Sequence, residues 1–509
     1  QADFTIANQT FPNTRTELNT SLQALATNSA GNSAPSTTFP NQWHFDSDGN
    51  VLYMRNKDND AWVQILTIGA TSDLQTITTD LISEVTSAAG VTVDGLLIKD
   101  GAIGATGTAS TVAGIPFYSV SSNNSMYTHD VSGTDSTAEN NTAYGFAAMD
   151  AITTGDHNVA IGKESLTANT SGSSNISIGV QANYGADTES HNLSIGQAAL
   201  GSSVAGGEYN IAIGNFSLDA VNSGDQNTAV GYYAGSETTT GSLNTFLGYQ
   251  AGRDNTTASD NVAIGAQSMF NGTTTGNSNV AVGSNTLGVL TSGTRNIAVG
   301  YGASNAFDTE NDNIAIGVNV LSGAVAGGEF NIGIGNFSLG ALTSGDFNTA
   351  IGYISGSALT TGSNNTSVGN QSLENHTIGN DNTAIGSGAL NANTEGEQNT
   401  AIGRAALGGN TTADNNTAVG YIALLANTTG EHNIGIGNAA VNGCDTENHN
   451  LGIGTDALGG AVAGGEYNVA VGNYSLDAVT SGDNNTAVGY NAATTLSNGS
   501  ATVSYTHLR

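Results

Sequence analysis

A five-residue motif recurs through about two thirds of the chain and limits what the chain can fold into. It reads Asn, then Thr, Val, Ile or Leu, then a mostly small residue, then an apolar residue, then Gly. Its glycines, from Gly145 to Gly489, mark 21 copies, and 16 of the 20 intervals between them are 17 residues long while four are 18. We expect the four longer intervals to be accommodated as one-residue insertions in turns. A fixed period this short indicates a solenoid, in which each repeat packs against its neighbours.

The first and last residues of the motif are present in every copy, so we assign them a structural role. An invariant Asn suits a stack of coils, because its amide can bond to the coils above and below, as in stacked Asn ladders. We take the following positions as representatives of the structural repeat: Asn158, Gly162, Asn296, Gly300, Asn382, Gly386, Asn485 and Gly489.

The interior of the motif alternates in character, which predicts a β-strand. In one copy, Ile297 and Val299 lie on one face, whereas Asn296, Ala298 and Gly300 lie on the other. We expect the two bulky side chains to be buried in each coil. The opposite face carries Ala, Ser or Gly at its centre, which would let another chain approach closely, as at Ala229, Ser194 and Gly333.

Each repeat also carries a second apolar piece and two turns. A residue three positions after the motif glycine is Ala or Ser in 19 of 21 copies, and Leu follows it in 12. Coils stacked about 4.8 Å apart would make a rod roughly 100 Å long. The sequence therefore predicts an all-β fold, a parallel β-solenoid of about 21 coils of 17 residues, with a small α+β unit before it. Disorder is disfavoured, since the register of Ile and Val never slips.

Composition narrows the classes of partner. The chain has 42 acidic and nine basic residues and a net charge of −33, which disfavours a nucleic acid or an anionic membrane as partner. Nothing approaches 18 consecutive apolar residues, so we expect no membrane insertion. Cys444 is the only cysteine, which leaves no intrachain disulfide; we expect it in a turn.

The segments before the array divide into two parts. Residues 1–70 form a small attachment or capping unit, with a helix at 14–26, strands at 42–45, 51–56 and 61–66, and a hairpin turn at Asp46-Ser-Asp48-Gly49. Residues 71–140 are a transition, with a helix at 71–90 and two strands within 90–101. That helix carries an apolar seam suited to a short three-stranded coiled coil, made by Leu74, Ile77, Leu81 and Val85.

The repeat array spans residues 141–502. Residues 503–509 fit no repeat and look like the translation of a sequencing adapter. The next Asn was due near position 502, so we expect the array to be cut there.

Polar residues in the turns supply no catalytic arrangement. No Ser-His-Asp order, phosphate loop or zinc spacing stands out, and no two carboxylates are distinguished from the rest, so we expect no catalytic, cofactor-binding or metal-binding residues. The acids before the Asn are read as a solvated stripe, with Ca²⁺ binding left open. They are Asp156, Glu208, Asp225, Glu329, Asp346, Glu397, Glu431 and Glu466. The histidines just before the Asn are read as a tolerant surface position, at His157, His191, His432 and His449.

The motif at 158–162, 261–265 and 382–386 resembles the head repeat of trimeric autotransporter adhesins, the YadA-like head. That resemblance implies a left-handed parallel β-roll, three chains side by side and binding to a host surface. Similar arrays also occur in phage fibres. The chain departs from the adhesins in its longer coils and in lacking a recognisable export signal or anchor.

A second resemblance concerns the residues between Arg15 and Trp62. Their arrangement, with Leu18, Phe39 and Trp43 among its fixed points, is similar to a segment near the N-termini of marine phage fibre and appendage proteins. It implies attachment to a virion protein. The expected function is therefore a structural fibre of a virion, extracellular and homotrimeric, that attaches to a glycan or protein receptor on the host. A bacterial surface adhesin is the alternative, and a glycan-degrading tailspike is the least favoured.

Overall fold

The computed structural model describes residues 29–31, 33–48, 51–68, 74–76, 110–112, 115–120, 125–128, 137–202, 206–323, 327–460 and 464–506. The chain divides into two compact units, residues 1–104 and 105–509. All regular structure in the described residues is β-strand. The helix predicted at 14–26 and the two strands predicted within 90–101 lie outside the described residues.

The first unit contains a five-stranded sheet. Its strands follow in chain order: β1 Ser29–Gly31, β2 Trp43–Asp46, β3 Val51–Arg55, β4 Trp62–Ile68 and β5 Leu74–Thr76. β1 pairs parallel to β2, and the other pairs are antiparallel. The three predicted strands of this unit are confirmed as β2, β3 and β4. The predicted hairpin is confirmed too, since Asp46 pairs with Val51 and its Oδ1 accepts the Asp48 N–H at 3.1 Å.

The helix predicted at 71–90 is wrong where the structure describes it. Leu74–Thr76 is strand β5, and Thr76 pairs with Thr67 of β4. A short isolated helix is marginally stable in water, whereas the open edge of β4 offers a row of unpaired N–H and C=O groups. Leu74 is therefore no member of a helical seam, and Ile77, Leu81 and Val85 lie outside the described residues.

The second unit begins with three strands that lead into the array. They are β6 Ser110–Val112, β7 Ile115–Val120 and β8 Ser125–Tyr127. β6, β7 and β8 pair antiparallel, and β8 then pairs parallel to the first strand of the array.

The array is a continuous parallel ladder with one three-residue strand per coil. Each strand pairs in parallel register with the strand of the next coil, as Ile297 does with Ile314. The predicted solenoid of about 21 coils is thus confirmed, although the strands are three residues long rather than five. A further strand, β30 Val503–Tyr505, pairs with the last of them. The 21 strands are β9 Thr142–Tyr144, β10 Val159–Ile161, β11 Ile176–Ile178, β12 Leu193–Ile195, β13 Ile211–Ile213, β14 Thr228–Val230, β15 Thr245–Leu247, β16 Val262–Ile264, β17 Val280–Val282, β18 Ile297–Val299, β19 Ile314–Ile316, β20 Ile332–Ile334, β21 Thr349–Ile351, β22 Thr366–Val368, β23 Thr383–Ile385, β24 Thr400–Ile402, β25 Thr417–Val419, β26 Ile434–Ile436, β27 Leu451–Ile453, β28 Val469–Val471 and β29 Thr486–Val488.

The four longer intervals are absorbed in turns. Leu193 and Ile211 lie 18 residues apart and still pair in register. The extra residue lies before the turn carbonyl that each Asn amide contacts, because Asn192 reaches Gly207, 15 residues on, whereas Asn158 reaches Gly172, 14 residues on. The predicted accommodation as one-residue turn insertions is confirmed.

The expected orientation of the strands is wrong, because their small residues face inward. Ala298 has no exposed surface, whereas Ile297 beside it is 38% exposed. Ala229 and Ser194 are likewise fully buried, so their face is the interior of the coil and offers no surface to another chain. At Gly333, a Cβ would lie 2.5 Å from Val320 Cγ1, which shows how little room the interior leaves.

The second apolar piece of each repeat explains this narrow interior. Its Leu side chains, such as Leu218 and Leu321, are fully buried and fill the space opposite the middle of the strand. One coil carries a large residue at the middle strand position, where the other coils carry Ala, Ser or Gly. This residue, Phe246, is fully buried. Gly235 and Gly252 stand where other coils carry Leu, and a side chain at either position would collide with the Phe246 ring.

Inward substitutions at the strand should therefore cost more stability than outward ones. We expect Ala298→Ile to destabilise the solenoid by about 1–3 kcal/mol, because the added carbons overpack a filled interior. Val299→Ile, on the outer face of the same strand, should stay within about 0.5 kcal/mol of wild type. Denaturant unfolding followed by circular dichroism measures both. Equal losses would show that the strand faces are assigned the wrong way round.

Candidate functional surfaces of the solenoid

The repeat asparagines form a buried ladder through the whole array. The Asn158 N–H donates to Asn141 Oδ1 at 2.8 Å, Asn158 Nδ2 donates to the Gly172 carbonyl at 2.9 Å, and Asn158 Oδ1 accepts the Asn175 N–H at 2.9 Å. The side chain therefore joins its own strand to the next coil twice. Asn296, Asn382 and Asn485 make the same three kinds of contact.

The glycine of the motif is required by both conformation and space. Gly162, Gly300, Gly386 and Gly489 have φ values of 130°, 131°, 134° and 124°. These lie in a region that L side chains rarely adopt. A Cβ at Gly386 would lie 2.6 Å from the carbonyl carbon of Gly403 in the next coil. The repeat pattern predicted a structural role for these glycines, but the collision depends on the stacking of coils, which the pattern does not give.

Non-glycine residues also adopt the left-handed conformation in every coil. In one coil, His157, Glu164 and Leu166 have φ values of 60°, 56° and 53°. Each costs roughly 1–2 kcal/mol, and Asn, Asp and His tolerate this region best. The histidines before the motif Asn therefore occupy a conformationally demanding position, which their mixture with Asn and Asp in the sequence could have indicated.

Aromatic side chains at that position stack on one another between coils. The rings of His432 and His449 have centroids 4.9 Å apart at 3°, and the rings of His449 and Tyr467 lie 4.8 Å apart at 12°. Phe330 and Phe347 stack in the same way. Within the described part of the chain, no three His, Cys, Asp or Glu side chains come together in a group that could hold a metal ion.

Three aspartates of the acidic stripe accept backbone hydrogen bonds, whereas Glu431 of the same stripe is exposed, as expected. Asp156 Oδ1 accepts the Glu139 N–H of the preceding coil at 2.7 Å, and Asp225 Oδ1 accepts the Glu208 N–H at 2.8 Å. Asp346 does the same for Glu329. Ser or Asn takes this role in other coils, so the position selects an acceptor for the neighbouring backbone.

Three buried glutamates were missed by the sequence analysis. Glu189 is 3% exposed; its Oε2 accepts the Asp187 and Thr188 N–H groups, and its Oε1 accepts the Gly206 N–H at 2.7 Å. Glu310 and Glu447 repeat this arrangement. Each follows an Asp-Thr pair and precedes a one-residue insertion, and that recurring Asp-Thr-Glu triplet was the available signal.

A polar column replaces apolar side chains at one corner of the core. His376 has no exposed surface. Its Nε2 donates to the Gly379 carbonyl at 2.8 Å, and its Nδ1 accepts from Asn393 Nδ2 at 2.9 Å. Asn410 and Asn427 continue the chain of amides. Burial lowers the pKa of His376, so the ring is neutral in the folded protein.

Cys444 continues the same corner and is fully buried. It ends a turn, as expected, because its N–H donates to the Val441 carbonyl at 3.4 Å. Burial raises the pKa of its thiol well above the usual range. Because the thiolate is the reactive form, the buried side chain is inert in the folded protein.

The outer strand face, formed by the second and fourth residues of every motif copy, is an uncharged and largely apolar surface that runs along the array. All its residues are Thr, Val, Ile, Leu or Tyr. Ile161, Ile297, Ile316 and Ile402 are 38–39% exposed. Contiguous apolar surfaces of this kind mark interaction sites in soluble proteins.

Comparisons with known proteins do not extend these observations. No family model, no curated protein and no solved structure matches the chain. In the described residues, no helix is long and apolar enough to cross a membrane.

The buried histidine makes stability depend on pH. Below its ordinary pKa of 6.5, His376 binds a proton in the unfolded chain but not in the folded one. The contribution of His376 to the free energy of unfolding is therefore fully present above pH 6.5. It is lost as the pH falls toward the lower pKa that the ring has in the folded protein. His376→Asn extends the amide column and should make the melting temperature less sensitive to acid between pH 7.5 and pH 5.

Asp219 provides an internal check on that experiment. Burial raises its pKa to about 6, which acts in the opposite direction, because the folded state then binds the proton more readily. Asp219 is present in both proteins, so the difference between their pH profiles isolates His376. Identical profiles would mean that the histidine is not buried as a neutral ring.

Proposed function

We propose that this chain is a structural fibre protein of a virion that attaches the particle to the surface of its host. The observation that carries the proposal is the uninterrupted parallel ladder from β9 to β30. Twenty-one coils about 4.8 Å apart extend roughly 100 Å. Such a rod holds one end of a molecule at a distance from the other, which is what an attachment fibre requires.

Coil-to-coil hydrogen bonds give the rod its stiffness. At the strand, the Val159 N–H donates to the Asn175 carbonyl at 2.9 Å; at the second apolar piece, the Leu166 N–H donates to the Ala182 carbonyl at 2.9 Å. At the turn, the Thr170 N–H donates to the Asp187 carbonyl at 2.8 Å. Each coil is therefore fixed to the next on several sides, and bending would require several such contacts to lengthen together.

The choice of a virion over a cell rests on the first unit. Its residues between Arg15 and Trp62 resemble the N-terminal segments of marine phage fibres, which supports anchorage to a virion protein. The motif favours the second candidate, a bacterial surface adhesin, since it also resembles the adhesin head. Both candidates share a binding role toward an extracellular surface.

We propose a homotrimer as the working unit, with the outer strand face as its interface. The small-residue face, which the sequence suggested as the interface, is buried inside each coil and cannot serve. Ile297 and Ile316 project from adjacent coils and are each 38% exposed. Since the outer strand face carries no charged residue in any copy, three chains could bury it without desolvating a charge. The acids of the stripe lie in the turns and not on this face.

Charges placed on the outer strand face should dissociate the trimer. We expect wild type to have three times the chain mass in light scattering, and the combined substitutions Val299→Lys, Ile316→Lys and Ile334→Lys to give monomers. The matched control places lysine at exposed turn positions of the same region: Ser292→Lys, Thr309→Lys and Ser344→Lys. If the wild type is monomeric, or if the variant with three lysines on the outer strand face stays trimeric, the outer strand face is not the trimer interface.

Immunogold electron microscopy distinguishes the two functional candidates. Antibodies raised against purified protein are applied to virus particles and to bacterial cells from cultures in which the protein is detected. Label at the appendages of virus particles is the expected result. Label on bacterial envelopes, with particles bare, would replace the virion fibre by a surface adhesin.

A further inference from the structure

We infer that a groove on the solenoid between β16 and β19 binds a neutral oligosaccharide segment. This inference rests on the proposed attachment function and names a ligand class for it. The groove has a volume of about 440 Å³, which lies within the roughly 300–1,000 Å³ typical of small-ligand sites. Gly288, Gly302 and Tyr301 are among the residues that line it.

The groove exists because two repeat positions lose their side chains side by side. Gly288 occupies a position that carries Phe270 in the coil before and Asn305 in the coil after. Gly302 occupies another, between Asn285 and Asn319. The space above these two glycines lies beside the 18-residue interval that ends at Gly283. This is the one longer interval that no buried glutamate precedes. This part of the array therefore differs from the three other insertions.

Tyr301 offers the groove an aromatic ring that contacts no other ring and no arginine among the described residues. It belongs to the tyrosines that follow the motif glycine, all 44–59% exposed: Tyr232, Tyr249, Tyr301, Tyr353, Tyr421 and Tyr490. Each of the others contacts a neighbouring ring or an arginine. Within the described residues the side chain of Tyr301 has no such contact and is 56% exposed. A free aromatic face suits the apolar face of a sugar ring.

Amide side chains supply the polar part of the groove. Asn285, Asn305 and Asn319 line it, and in the described part of the chain their side chains have no hydrogen-bond partner in the protein. Asn285 and Asn319 are half-buried, so their amides are partly withdrawn from water. An amide donates and accepts at once, which matches adjacent hydroxyl groups.

The charges around the groove favour an uncharged ligand. No lining residue is ionisable as an acid or base near neutral pH. Arg253, whose guanidinium lies 4.1 Å over the ring of the lining residue Phe270, is paired with Asp254 at 2.5 Å, so it is not available to an anion. The chain's net charge of −33 further disfavours acidic sugars.

Saturation-transfer NMR on the full chain tests the groove. The probes are maltotetraose, cellotetraose, laminaritetraose, mannotetraose and chitotetraose, with tetragalacturonate as the acidic comparison. We expect transfer to at least one neutral tetrasaccharide and none to the acidic one. Absence of transfer to every neutral probe, or equal transfer to tetragalacturonate, would overturn the inference.

Two variants locate the binding. Gly288→Leu fills the groove, and its Cβ would lie 3.3 Å from the Asn305 carbonyl oxygen, which must shift slightly. Gly340→Leu is matched to it, because it adds the same side chain at an equivalent position outside the groove, 3.3 Å from the Phe337 carbonyl oxygen. Tyr301→Ala removes the free ring, and Tyr421→Ala removes a ring of the same series elsewhere. We expect at least about a tenfold loss of affinity for the two groove variants and wild-type affinity for the two controls. Retained binding in Gly288→Leu would overturn the site.

Affinity electrophoresis in gels containing starch, laminarin or mannan separates the groove from the attachment role. Retardation of wild type but not of Gly288→Leu supports recognition of a surface polysaccharide. Tetrasaccharide binding without retardation would remove the link to surface attachment. If antibodies label virus particles but no saccharide binds, the proposed saccharide site is wrong and the proposed function as a virion fibre still stands.

Discussion

The bond between a buried Asn side chain and the backbone of the next coil is the interaction on which the solenoid depends. Each coil places several residues in the left-handed region, at roughly 1–2 kcal/mol each, and has a narrow interior with little apolar area. A buried amide that lacked its partners would cost a further 1–3 kcal/mol. Since Asn fills both its donor and its acceptor capacity, it converts a position that would destabilise a core into a link between coils.

That link also decides which side of the strand faces in. Asn and Gly alternate with the bulky residues, so burying the Asn amide forces the middle residue inward with it. The interior then accepts Ala, Ser or Gly, and the β-branched residues must lie outside. The outer strand face is thus a consequence of the ladder, and it gives a rod of this kind an uncharged surface along its length.

The repeat was readable from the sequence because its period is fixed, and the spacing of the glycines alone predicted coil number, parallel register and the turn insertions. The orientation of the strand was predicted wrongly, because the hydrophobicity of Ile297 and Val299 suggested that they form the core. The structure instead buries Asn296, so Ile297 and Val299 lie on the outer face. Leu74 was assigned to a helix because its spacing to later apolar residues suits one, whereas pairing with β4 depends on a distant edge. The groove at Gly288 arises from absent side chains in adjacent coils, which become neighbours only once the coils are stacked.

Hydrogen exchange at single amides tests the role of the asparagine ladder most directly. The Asn313 N–H donates to Asn296 Oδ1 at 3.0 Å. In wild type this amide should be strongly protected, and Asn296→Ala should speed its exchange by about 10–100-fold, corresponding to a loss of roughly 1–3 kcal/mol. Amides around Asn382, several coils away, should keep their wild-type rates. Free exchange of the Asn313 amide in wild type, or no change in the variant, would contradict the account.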